Sequence, residues 1–100
     1  MISQEDKKLR DYELVVIVSP EEAVEGLIER ISRFVTENGG SITSVDRWGK
    51  RKLAYPIKHF MEGSYVLARF KLRPRLSREL EANLKISEEV LRHLLTRLSA

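Results

Sequence analysis

Ser87-Glu-Glu-Val-Leu-Arg-His-Leu-Leu-Thr-Arg-Leu98 is the stretch on which the fold turns. Leu91, Leu94, Leu95 and Leu98 recur at a helical period, and Ser87 could cap a helix. The local pattern therefore leans towards helix. The chain before it argues for a strand. It reads strand, helix, strand, strand, helix, and a final strand beside the first would close such a sheet. We read residues 87–98 as that strand.

Working back, Tyr12-Glu-Leu-Val-Val-Ile-Val18 is the first strand. Tyr12, Leu14, Val16 and Val18 share one face, and Val15 and Ile17 the other, as in a central strand. Ser19-Pro20-Glu21-Glu22 then predicts a helix start, with serine as cap, proline in the first helical position and Glu22 completing a capping box. Val24, Leu27, Ile28, Ile31, Phe34 and Val35 form one helical stripe, ended by Asn38-Gly39-Gly40. Residues 41–57 read as a long strand whose apolar positions change parity, which predicts a bulge near Gly49. Lys58-His-Phe-Met-Glu-Gly63 reads as a turn. In residues 64–73, Val66, Ala68, Phe70 and Leu72 alternate with Tyr65, Leu67, Arg69, Lys71 and Arg73. The first set suits a core, and the second a face open to a partner. Pro74 closes that strand, and Ser77 is expected to cap a helix through about Lys85, with Leu80 and Leu84 inward. The expected fold is α+β: a βαββαβ chain forming a four-stranded antiparallel sheet with two helices on one face. Residues 1–9 read as a flexible leader and 10–100 as a single domain.

The composition agrees. One hundred residues suit one core, and 42% hydrophobic with 33% charged residues describes a globular chain rather than a disordered one. The net charge of +3 conceals its distribution. Residues 1–30 hold four lysines and arginines against eight acids, whereas residues 46–78 hold ten against two, a local net of +8. A positive field so concentrated attracts polyanions.

Other chemistries find no support. There is no cysteine, so disulfides, thiol catalysis and cysteine-bound metals are excluded. The polar start lacks a signal-peptide core, and no apolar run approaches the roughly 20 residues that span a bilayer. His59 and His93 have no acid at a relay or metal-ligand spacing and read as structural. Gly39-Gly40 is not a phosphate loop. Acylphosphatases share the βαββαβ pattern but use an arginine after the first strand, where this chain has Ser19-Pro20. We expect no enzyme, cofactor, metal or small-molecule substrate.

The positive chemistry lies in Arg47-Trp48-Gly49-Lys50-Arg51-Lys52, four cations and one indole in six residues. Each cation can neutralise a phosphate and release counterions, and arginine can form two-pronged phosphate contacts. Trp48 could cover the sheet or stack on a base. Arg69, Lys71 and Arg73 alternate on the neighbouring strand. If the two strands pair, both groups of charge should join into one basic surface. We take Arg47, Trp48, Lys50, Arg51, Lys52, Arg69, Lys71 and Arg73 as the candidate RNA-binding residues, and Leu53-Ala-Tyr-Pro-Ile57 as mainly scaffold.

Gly49-Lys-Arg-Lys-Leu-Ala-Tyr-Pro-Ile-Lys58 resembles the signature of the bacterial small-subunit ribosomal protein S-six family. Tyr12-Glu13, the Gly39 region and Gly63-x-Tyr65 resemble it too, so the likeness covers about residues 10–98. It implies a ferredoxin-like fold and a strand in the last segment. It also implies a structural role in the small ribosomal subunit, on ribosomes of the cytoplasm or of an organelle. The expected partners are the central domain of small-subunit ribosomal RNA and ribosomal protein S-eighteen, with no membrane. The chain departs from the family in its longer leader, its leucine-rich last strand and the lack of a long charged tail. Two rivals share the strand order. An RNA-recognition-motif reader needs base-stacking aromatics on the first and third strands, most of which are missing. A ligand-binding regulatory domain gives the +8 segment no purpose.

Overall fold

The structure is a computed structural model and describes residues 8–98. The expected leader falls mostly outside that range, and the first strand begins at Arg10.

Six elements follow the expected order: β1 (Arg10–Val18), α1 (Val24–Glu37), β2 (Ser41–Ile57), β3 (Phe60–Leu72), α2 (Pro74–Ile86) and β4 (Val90–Arg97). The four strands form one antiparallel sheet in the order β2-β3-β1-β4. The last segment is a strand, against its helical leucine period. Paired beside β1, Leu95 meets Leu14 and packs on the core. Leu94 points to the other face and remains exposed. Burial against β1 outweighs local propensity here.

The core lies between the sheet and the helices. Leu14, Val16 and Val18 of β1 and Val66, Phe70 and Leu72 of β3 are almost wholly buried. They meet Val24, Leu27, Ile31 and Val35 of α1 and Leu80 and Leu84 of α2. Tyr12 stacks on Phe70 with ring centroids 5.8 Å apart. Each helix contributes its apolar stripe and turns its charged side to solvent.

Both helix starts differ from expectation. A short 3-10 turn, Glu21–Ala23, precedes α1, the Ser19–Pro20 bond is cis, and no side chain caps the turn or the helix. The Ser19 N–H instead donates to the Glu89 carbonyl, which ties the end of β1 to the approach of β4. α2 starts at Pro74, not Ser77, because proline's fixed φ and missing N–H suit the first helical position. Ser77 is buried inside the helix, and its hydroxyl donates to the Pro74 carbonyl at 2.7 Å.

The Gly39-Gly40 stop of α1 is as expected. Gly39 has φ +82°, and the Gly40 N–H donates to the Val35 carbonyl at 2.8 Å. A Cβ on Gly40 would lie 2.1 Å from the Lys71 carbonyl oxygen, so only glycine lets the chain enter β2 this close to β3.

The β2–β3 hairpin is longer than expected. Its turn is only Lys58-His59, both in the left-handed region at φ 49° and 71°, and β3 begins at Phe60 rather than Ser64. Seventeen residues of straight strand would span about 56 Å, yet the molecule's longest dimension is 45 Å. β2 must bend. Its pairing shifts register at three places, between Ile42 and Ser44, Arg47 and Gly49, and Lys52 and Ile57. The second is the bulge that Gly49 announced, with φ +85°. At the third, residues 53–56 leave the ladder and fold over the helix-free face. There Leu53 is buried with Ile17 and Leu91, and Ile57 and Tyr65 pack around them.

Candidate nucleic-acid interface

The eight candidate residues fall into three settings. Arg47 pairs with Val66 of the core-facing set, so its side chain leaves β2 on the helix side. There it meets α1. Its Nε donates to Glu25 Oε2 at 2.6 Å and its Nη2 to Oε1 at 2.8 Å, a two-pronged ion pair. This contact holds the Glu25 carboxyl below its ordinary value, through Arg47's hydrogen bond first, and raises Arg47.

Lys50, Arg51 and Lys52 stand opposite Ser64, Gly63 and Glu62. All three are exposed and make no ion pair among the described residues. By pleat alternation Lys50 and Lys52 share one face and Arg51 takes the other. The Arg51 guanidinium carbon lies 5.6 Å from the centroid of the Trp48 ring. Trp48 in turn stacks on Tyr65, with centroids 6.4 Å apart and planes 13° from parallel. The indole is 46% exposed and covers the sheet without entering the core.

Arg69, Lys71 and Arg73 do not join this group. β2 and β3 pair as expected, but the register sets Arg69 and Lys71 against Ser44 and Ser41. Arg69 is six residues along β3 from Gly63, about 20 Å away. That exceeds the screening length of roughly 8–10 Å at ordinary salt. The single basic surface expected from the sequence is therefore two separate ones. β1 also brings acids to the second. Arg69 Nε donates to Glu13 Oε2 at 3.0 Å, and Lys71 Nζ lies 4.0 Å from Asp11. Arg73 falls outside β3, at the residue that precedes α2, with its guanidinium beside Gly39.

Three partners on the helix-free face were not identified from the sequence. Glu13 and Asp11 sit directly across from Arg69 and Lys71, on the face of β1 that also carries Val15 and Ile17. Their alternation with Tyr12 and Leu14 was the available signal. Tyr55 is the third, because its hydroxyl accepts from Arg92 Nη1 at 2.6 Å and its ring lies under that guanidinium. This clasp joins β2 to β4 across the open face. His93 also gains an acid, Glu81 of α2, at 3.3 Å. Among the described residues no cluster of three or more His, Asp or Glu could hold a metal ion, and no helix is long and apolar enough to cross a membrane.

The sequence model of the family described as Ribosomal protein S6 matches residues 11–97. The chain belongs to that family. The family is structural rather than enzymatic, and the fold is its ferredoxin-like one. The chain is 43% identical to the small ribosomal subunit protein bS6 of Moorella thermoacetica, over 90% of this chain and 95% of that one. It is 50% identical to the protein of the same name from Caldanaerobacter subterraneus, over 89% and 97%. A solved structure of 30S ribosomal protein S6 from Thermotoga maritima superposes with a TM-score of 0.81 at 36% identity, covering 91% of this chain and 89% of that one. The C-terminal domain of the MgtC protein from Mycobacterium tuberculosis, 18% identical with a TM-score of 0.68, shares the fold alone.

Proposed function

We propose that the chain is a structural component of the small ribosomal subunit that binds small-subunit ribosomal RNA in its central domain, together with ribosomal protein S-eighteen. The observation that carries the RNA contact is the set of exposed, unpaired cations at Lys50, Arg51 and Lys52, in a member of a ribosomal protein family. Cations on both faces of one hairpin suit a phosphate backbone that wraps it. Arg47 joins them by exchanging the Glu25 carboxylate for a phosphate. Arg69 and Lys71 carry local counter-charges, so they add less net attraction for a polyanion. Binding to ribosomal RNA places the protein on the ribosome.

The open sheet face supports the protein partner. Leu94, Tyr55 and Trp48 are 64%, 54% and 46% exposed there, and Leu94 lies beside Val15 and Ile17. Large side chains exposed on one face fit a second protein.

The test is binding of a central-domain transcript across a salt series. Replacing Lys50, Arg51 and Lys52 with alanine should weaken binding and lower the log–log salt slope by about 0.7–0.9 per lost contact. Unchanged affinity and slope in a folded variant would remove the hairpin from the interface. Adding ribosomal protein S-eighteen should tighten binding of the unaltered chain. Equal affinity with and without it would argue against a joint site.

A further inference from the structure

The bulge at Gly49 has an effect on side-chain direction. In a regular strand, residues 48 and 51 point to opposite faces because their separation is odd. Here Gly49 pairs with Tyr65 directly after Arg47 pairs with Val66, so Trp48 is the extra residue. The parity of everything beyond it is reversed. Arg51, opposite Gly63, now shares the open face with Trp48. Gly49 sits in open space, with nothing within 4 Å of an added Cβ. Its φ of +85°, not crowding, is what favours glycine.

We infer that Trp48 is a positioning residue for Arg51: the Tyr65–Trp48 stack is a platform that holds the Arg51 guanidinium ready for an RNA phosphate. The inference rests on the RNA-binding reading above. A free arginine side chain samples many rotamers, and an indole beneath it removes much of that freedom before binding. A planar guanidinium lying on a ring keeps its N–H edges free for a two-pronged phosphate contact. An incoming base competes with two resident flat groups, Tyr65 and Arg51, for the same indole. Trp48 thus acts through Arg51 rather than as a base-stacking surface.

The experiment is a double-mutant cycle in the full chain, read as the dissociation constant for a central-domain transcript over a salt series. Circular dichroism checks that each variant is folded. Trp48→Ala should weaken binding about two- to fivefold in the unaltered background. It should have no further effect once Arg51→Ala is present. Trp48→Phe, which keeps a ring under the guanidinium, should recover most of the loss. Trp48 is the chain's single tryptophan, so its emission reports the contact directly. Arg51→Ala should make it more accessible to acrylamide in the free protein.

An equal Trp48→Ala penalty with and without Arg51 would overturn the inference and make the indole a direct RNA contact. So would a Trp48→Ala variant that binds as well as the unaltered chain. If replacing Lys50, Arg51 and Lys52 together leaves binding intact, it is the RNA-binding reading that fails, and the inference with it. If that triple replacement weakens binding while Trp48 and Arg51 act independently, only the positioning role fails.

Discussion

At the scale of single residues, positive charge was legible in the sequence and its neutralisation was not. Arg47 finds its acid 22 residues away on α1, and Arg69 finds its acid 56 residues away on β1. Neither distance is visible without the register. The Arg47–Glu25 pair makes a pH prediction. Glu25's folded value lies below its ordinary one because Arg47 donates to it. A carboxylate lowered on folding contributes stability that is present above its unfolded value. That contribution is lost as the pH falls through the lowered folded value. Both side chains are more than half exposed, so the effect on stability is screened and small. The titration itself is the sensitive readout. In Arg47→Ala, the Glu25 carboxyl followed by NMR should titrate at higher pH, back towards its ordinary value. An unchanged midpoint would mean that the pair does not persist in solution. Lys50, Arg51 and Lys52 differ in that none of them closes an ion pair among the described residues, although Glu62 stands opposite Lys52 in the ladder.

At the scale of elements, α1, the β2 bulge and the alternation of β3 were readable because each has a residue or period that admits one geometry. The Gly39-Gly40 stop, the Gly49 bulge and the Val66-to-Leu72 alternation are examples. β4 was readable through topology and the family resemblance, not through its own pattern, since its leucines fit a helix as well as a strand. The Lys58-His59 turn was missed for the converse reason. Two-residue hairpin turns with both φ positive are ordinarily announced by Asn-Gly or Asp-Gly, and this one contains neither. Lysine and histidine in the left-handed region carry a conformational cost. Replacing Lys58-His59 with Asn-Gly should therefore stabilise the fold by about 1 kcal/mol. The Lys58 Nζ contact to the Val90 carbonyl, at 3.4 Å, is too long to offset that gain. Urea denaturation reads the result, and a midpoint that does not rise would show that the hairpin fixes this turn at no cost.

At the scale of the molecule, the strand order decides what depends on what. β1 is central and β4 lies on its outer side, so the first strand of the chain is flanked by the third and the last. A chain ending at Ile86 keeps both helices and the β2–β3 hairpin. It leaves β1 without one neighbour and exposes the side of the core that Val90 and Leu95 cover. Such a chain should lose the cooperative unfolding transition of the full protein, followed by circular dichroism during heating. An intact transition at the same temperature would show that β4 contributes nothing to the fold. The same arrangement bears on biosynthesis. A nascent chain can form α1 and the long hairpin as they emerge, but the sheet cannot close while residues 90–97 are still inside the exit tunnel. Completion of the fold therefore waits until residues 90–97 have left the tunnel. A β1 edge stays open to other chains until then, and crowding on a polysome would be most hazardous in that interval.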